Sequence, residues 1–362
     1  MIRTHKIEIL PNQKTQSVLD SYFGYSRHCF NRGLDLWKQE YLKGNKPNGR
    51  SIRNMIKGSP IAWYTEYSPQ VLDTAIEDLD RAFQNFFAKR ANYPKFKSKR
   101  KSRDSARWYR KSDSSIRIKN NKLYLPKFKY GINLTEPLRF KGTIKTCTIT
   151  KQAGRYFASF TVELDQPITQ KSTIGKIGID LGLKTFATCV DHTGKVIQYN
   201  LPKKLNTLTY RLKVLQRHLA RKKHGSNKWS ELKIKIQKVY MQITNIRKDF
   251  LHKLTTNITN QYQKIGIEKL NVRGMIKFKN ISRSIHQSCF YTFRLMLEDK
   301  SNLYGNNLVV ASPVFPSTQK CSACGNIKKG LQKLKLSQRV YSCVCGHIQD
   351  RDQNAATNLR DI

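Results

Sequence analysis

The chain has 362 residues, room for two or three packed units, and its 38% apolar content suffices for their cores. Lys and Arg outnumber Asp and Glu 68 to 24, a formal charge of +44; solubility needs a net charge of only about 2–8, so a polyanion is expected to neutralise the rest, and nucleic acid fits a charge spread along the whole chain. No apolar run reaches the roughly 20 residues of a membrane span, and the opening MIRTHKIEIL lacks a signal-type apolar core, so a cytoplasmic location with reduced thiols is expected.

Residues 2–10 alternate as a strand and are closed by Pro11-Asn12. Val18, Leu19, Tyr22, Phe23, Phe30, Leu34, Trp37 and Tyr41 then recur at helical spacing until Gly44, Pro47 and Gly49 break the pattern. Ser68-Pro69, a cap followed by a first-turn proline, opens a second amphipathic helix carrying Leu72, Ala75, Leu79 and Phe83. From Lys89 to Lys111 the chain is dominated by cations, with Tyr93, Phe96, Trp108 and Tyr109 between them. Cations for phosphates and rings for bases make Lys95, Lys97, Lys99, Arg100, Lys101, Arg103 and Trp108 the candidate nucleic-acid contacts. Residues 115–165 read as β-structure, with hairpin turns at Asn120-Asn121 and Gln152-Ala153-Gly154. Together with the first strand they are expected to close a small barrel, interrupted by the helices.

From Ile174 the pattern is strand, Asp180, Gly182, strand, turn at Asp191–Gly194, strand. Leu205, Leu208, Leu212, Leu215 and Leu219 follow at helical spacing. After a turn at Gly225-Ser226-Asn227 the period resumes through Leu232, Ile236, Val239, Ile243, Phe250 and Leu254. This predicts a helical hairpin with an apolar seam and a basic tip at Arg217–Lys223. KIGIEKL is the next strand, with Glu268 near its end; a helix around Ser288–Asn302 and the strand in NNLVVASPVF follow.

Cys321 and Cys324 form one close pair and, after an interval, Cys343 and Cys345 form another, near the spacing of a structural zinc site. The second pair is one residue short, so its turn must be tighter. Cys29, Cys147, Cys189 and Cys289 are scattered among apolar residues and read as core filler. Behind the last thiol, Asp350-Arg351-Asp352 leads into a helix starting near Asn354-Ala355-Ala356. Each acidic group alone reads as an ordinary cap or strand end. In order they give an α+β chain whose second part has the ribonuclease-H-like layout of a mixed sheet covered by helices. Adjacent first and fourth strands would put Asp180 beside Glu268, and the helix led by Asp352 could lay its tip across them. Such a trio needs cations to stay ionised; two Mg²⁺ ions would supply them and suit phosphodiester cleavage. Asp352 is preferred over Asp350, on the reading that it directly precedes the helix.

These residues resemble the TnpB proteins of bacterial insertion sequences, RNA-guided DNA nucleases akin to type V CRISPR effectors. The likeness is carried by GIDLG at 178–182, IEKLNVRGM at 267–275, PSTQKCSACG at 316–325 and DRDQNAATNL at 350–359, with YPKFKSKRK at 93–101 and RKDFLHK at 247–253 in support. It implies Asp180, Glu268 and Asp352 as a RuvC-type catalytic triad holding Mg²⁺, and Cys321, Cys324, Cys343 and Cys345 as ligands of one structural Zn²⁺. It also implies a β-barrel wedge domain (1–12 and 112–172) around a helical recognition lobe with basic linker (13–111). A RuvC-like nuclease domain (173–315 and 347–362) with a zinc-binding insert (316–346) would follow. The expected partners are a guide RNA from the transposon end, one protein per guide, and double-stranded target DNA carrying a short flanking motif, in a bacterial cytoplasm at the nucleoid. Two alternatives are a protein-only transposase or resolvase-type nuclease, for which no helix-turn-helix stands out, and a non-cleaving RNA-guided repressor, which the intact trio of carboxylates disfavours.

Overall fold

The computed structural model describes residues 1–112, 115–165, 174–335 and 337–362, and the chain divides into two compact units, Met1–Pro167 and Ile168–Ile362. The boundary expected at 172–173 lies outside the described residues.

In the first unit β1 (Ile2–Leu10) leads into α1 (Gln13–Leu42), then α2 (Gly49–Gly58) and α3 (Pro69–Phe87). Six strands follow: β2 (Ser105–Tyr109), β3 (Arg117–Lys119), β4 (Lys122–Tyr124), β5 (Ile132–Leu134), β6 (Gly142–Gln152) and β7 (Arg155–Leu164). The Asn12 side chain caps α1 by accepting from the Thr15 N–H at 2.9 Å. Both expected hairpins form on two residues with positive φ, Asn120 and Asn121 between β3 and β4, and Ala153 and Gly154 between β6 and β7. The sheet order is β2-β6-β7-β1-β5-β4-β3. β2 and β3 are its edges, so the pairing makes a half-barrel where closure was expected.

One apolar cluster unites helices and sheet: Ile7 of β1, Tyr22 and Leu34 of α1, Leu79 of α3 and Phe160 of β7. Two features correct the sequence reading. β2 lies inside the stretch assigned to the lobe and its linker, yet it is a sheet strand, Ser105 to Tyr109 facing Thr150 to Thr146. Trp108, expected to stack on bases, is fully buried, with its ring 5.2 Å from Tyr22 and 5.9 Å from Phe128. The alternation of buried Ala106 and Trp108 with half-exposed Arg107 and Tyr109 turns the indole inward.

The second unit begins with β8 (Lys176–Leu181), β9 (Ala187–Asp191) and β10 (Val196–Tyr199), then α4 (Lys204–Ala220) and α5 (Asn227–Gln261). β11 (Lys264–Glu268), α6 (Val272–Ile276), α7 (Lys279–Ser288), α8 (Phe290–Tyr304) and β12 (Asn307–Ala311) come next. It closes with β13 (Val340–Ser342), β14 (Ile348–Asp350) and α9 (Arg351–Arg360). The sheet order is β10-β9-β8-β11-β12, with β11 parallel to both β8 and β12 and the other pairs antiparallel. The first and fourth strands of this unit are therefore neighbours.

Residues of a strand alternate between faces. Ile177 and Ile179 of β8 and Ile265 and Ile267 of β11 pack with Leu254 and Ile258 of α5 and Phe293 and Leu297 of α8. The opposite face is covered by α9. Gly178 and Gly266, paired in register, let it sit directly on the strands. A Cβ on Gly178 would lie 1.9 Å from the Ala356 carbonyl oxygen, and one on Gly266 would lie 1.7 Å from that of Leu359. Among the described residues no helix is long and apolar enough to cross a membrane.

Candidate metal centres

Two residues beyond each of those glycines, on the face that α9 covers, stand Asp180 and Glu268. The repeated tripeptides Gly178-Ile179-Asp180 and Gly266-Ile267-Glu268 thus do two jobs: the glycine admits the helix, and the acid lies further along the same row. Asp350 is the N-cap of α9, its Oδ1 accepting from the N–H groups of Asp352 (2.9 Å) and Gln353 (3.1 Å). That corrects the reason given for preferring Asp352. Asp350, not Asp352, directly precedes the helix, and its capping work leaves Asp352 in the first turn to face other groups.

Asp180 is buried, and its carboxyl is held well above the usual range, first by burial, then by the charges of Glu268 and Asp352, with Arg351 opposing. Burial also pushes Glu268 up to about 7; the Leu181 backbone opposes this and the charge of Asp352 adds to it. Arg351 donates to Asp352 from Nε (3.1 Å) and Nη2 (3.0 Å), and Arg339 Nη1 lies 3.6 Å from the same carboxylate. Sequence reasoning missed both arginines; Arg351 at least had the signal of standing between the two aspartates. The carboxylates are oxygen donors whose mutual field disfavours ionisation, an environment that a hard divalent cation relieves. The donor set therefore fits Mg²⁺.

The four cysteines form a tighter set. Among the described residues they form a group that could hold a metal ion, with donor atoms all within 4.8 Å of one another. Cys321 Sγ is 3.8 Å from Cys345 Sγ, and Cys324 Sγ is 3.6 Å from Cys343 Sγ. A tetrahedron with Zn–S bonds of about 2.3 Å has edges of about 3.8 Å, so the thiols fit zinc. The expected tighter turn is present. Gly325, with φ +77°, donates to the Cys321 carbonyl four residues back, whereas Gly346, with φ +85°, donates to the Cys343 carbonyl three back. One residue fewer is accommodated by one residue less of turn. The Cys345 backbone helps draw the Cys343 thiol down to about 6. The N–H of Asn326 favours the thiolate of Cys324, but the other thiols outweigh it and push that group up to about 12. The thiol loop is tied to α9. Asn354 and Asn358 donate to the Lys320 carbonyl, each at 2.7 Å, and the Ser322 N–H donates to Asn354 Oδ1 at 2.9 Å.

In the first unit, Lys95, Lys99, Arg100, Lys101 and Arg103 are exposed. Lys97 is half-buried, its ammonium 3.7 Å from the Phe30 ring centroid and drawn below its usual range by burial.

A family model described as "Probable transposase" (OrfB_IS605) matches residues 159–279, and one described as "Cas12f1-like, TNB domain" matches residues 290–359. A relative from Streptomyces pristinaespiralis, named "Putative RNA-guided DNA endonuclease", is 33% identical over 365 residues, covering 99% of this chain and 88% of the relative. The chain belongs to the TnpB/OrfB family. Another TnpB/OrfB relative, InsQ of Escherichia coli K12, carries the same description and is 28% identical over 379 residues, covering 99% of this chain and 91% of its own. A solved structure of CasPhi-2 (Cas12j) bound to crRNA shares the fold at 9% identity and a TM-score of 0.51, over 100% of this chain and 98% of that one. A third model, described as "Helix-turn-helix domain", matches residues 1–46. In this TnpB/OrfB member that segment is one strand and one 30-residue helix, β1 and α1.

Proposed function

We propose that the chain is a metal-dependent, RNA-guided DNA endonuclease of an insertion sequence, with Asp180, Glu268 and Asp352 as its catalytic carboxylates. The observation that carries this reading is the meeting of Asp180 and Glu268, at the ends of adjacent parallel strands, with the first turn of the helix that lies on both. The names of its relatives support it. Two Mg²⁺ ions held by the three carboxylates would supply charge neutralisation at the phosphate and activation of water. The chain's own part is positional. Gly178 and Gly266 set the height of α9, Asp350 fixes its first turn, and Arg351 and Arg339 hold the Asp352 carboxylate. Cys321, Cys324, Cys343 and Cys345 would hold one structural Zn²⁺ beside that helix.

On this reading the guide RNA derives from the transposon end, one protein binds one guide, and target DNA is opened beside a short flanking motif. Lys95, Lys97, Lys99, Arg100, Lys101 and Arg103 contact nucleic acid, and the enzyme works in the bacterial cytoplasm at the nucleoid. A protein-only transposase would need its own sequence reader, and residues 1–46 form no pair of short helices. The test is to purify the chain with its RNA and supply a plasmid library bearing a guide match and a randomised flank. Linear product is expected with Mg²⁺ and none with Asp180→Ala. Equal cutting by that variant, or by RNA-free protein, refutes the assignment.

A further inference from the structure

A groove of about 580 Å³ lies between α4, α5 and α7. Its wall carries Lys213, Arg247, Arg283 and His286 and no carboxylate. Two rings stand among these cations, Tyr210 (71% exposed) and Tyr240 (47% exposed). Gln216 Nε2 donates to the Tyr240 hydroxyl at 2.9 Å, steadying that ring. Arg247 Nε is buried without a hydrogen-bond partner, so the guanidinium retains donor capacity within the groove wall. One turn of α5 beyond Arg247, the Phe250 ring packs 5.3 Å from Phe186, whose carbonyl accepts from the N–H of Gly182, two residues after Asp180. The groove is thereby tied to the end of the sheet that bears the carboxylates.

We propose that this groove binds single-stranded DNA on its way to the carboxylates, with bases stacked on Tyr210 and Tyr240 and phosphates paired with Lys213, Arg247 and Arg283. Rings for base faces and cations for the backbone are the two requirements of sequence-tolerant single-strand binding. The volume is that of a small-ligand cleft, enough for unstacked bases and too small for a duplex. Its position at the acid end of the sheet favours the strand to be cut over the guide. The inference rests on the nuclease reading above, and the following experiment separates the two.

The full-length chain, purified with its RNA, is irradiated with single-stranded DNA containing 5-bromodeoxyuridine, and the crosslinked peptides are mapped. Crosslinks at Tyr210 or Tyr240 are expected. Tyr210→Ala should weaken binding of a labelled oligothymidylate roughly 5- to 150-fold, the range for loss of one stacking ring, and Tyr210→Phe should restore it. Arg283→Gln should reduce the slope of log affinity against log salt by about 0.7. If the wild type cuts plasmid but these variants bind oligothymidylate and cut as it does, the groove assignment is overturned. It is also overturned if the variants lose RNA and keep DNA binding. If the wild type fails to cut while the variants still lose single-strand binding, the nuclease reading falls and the groove stands.

Discussion

Replacing Gly266 by alanine tests how the third carboxylate is held. The new methyl would lie 1.7 Å from the Leu359 carbonyl oxygen, where real contacts essentially never fall below 3.0 Å, so α9 has to retreat by about 1.3 Å or tilt. The obstacle is backbone on both sides, leaving no flexible side chain to give way. Overpacking of this kind costs about 1–3 kcal/mol. The larger effect should be catalytic, because Asp352 rides on the displaced helix, and a misplacement of about 1 Å can cost about 10²-fold in rate. The assay pairs urea unfolding with single-turnover plasmid cleavage, and guide and target binding are measured alongside. Gly266→Ala should fold, bind both nucleic acids and cut at least about 10²-fold more slowly than wild type. Wild-type stability together with wild-type cutting would refute the account of the glycine pair.

Glu268→Gln should stabilise the protein in Mg²⁺-free buffer at pH 8 and barely at pH 4. Burial lifts Glu268 from 4.5 to about 7. Below 4.5 both folded and unfolded chains hold the proton. As pH rises to 7 only the unfolded chain releases it, so wild-type stability falls across that window and the deficit is full above it, about 3 kcal/mol. Urea unfolding at the two pH values checks this, without a chelator that would strip zinc; an equal shift at both would contradict it. Cys343→Ser should lower zinc content by atomic emission and reduce the melting temperature, since a three-thiol remnant leaves the metal poorly held; a full zinc complement in the variant would count against the cluster. Trp108→Ala should destabilise by about 3–5 kcal/mol as a core deletion while leaving the salt dependence of nucleic-acid binding unchanged; the opposite pattern would return the indole to a binding role.

Much of this architecture is legible in the sequence because it depends on local chemistry. Asn120, Asn121 and Gly154 tolerate the left-handed backbone their turns need, and the leucine and isoleucine periods of α4 and α5 mark one buried seam. The paired thiols point to a candidate metal site by spacing alone. Trp108 was misread because an aromatic ring among cations has one composition whether it faces solvent or core; only the alternation through Ala106 distinguishes the cases. Arg339 reaches Asp352 through a chain reversal that spacing cannot encode, since β13 pairs Val340 with Asp350 of β14. The Gly-Ile-acid repeat was visible at 178–180 and 266–268, but its meaning needed the register that sets Gly178 opposite Gly266.

The asparagine latch between α9 and the thiol loop joins the two candidate metal centres mechanically. Asn354 and Asn358 grip the carbonyl immediately before Cys321, on the same helix whose opening turn presents Asp352. An ion bound by the four thiols would thus anchor the helix that carries Asp352 without touching a carboxylate. If the proposed roles hold, an oxidant of the thiols would loosen the seat of Asp352 without meeting a carboxylate, and reduction with metal resupplied would restore it.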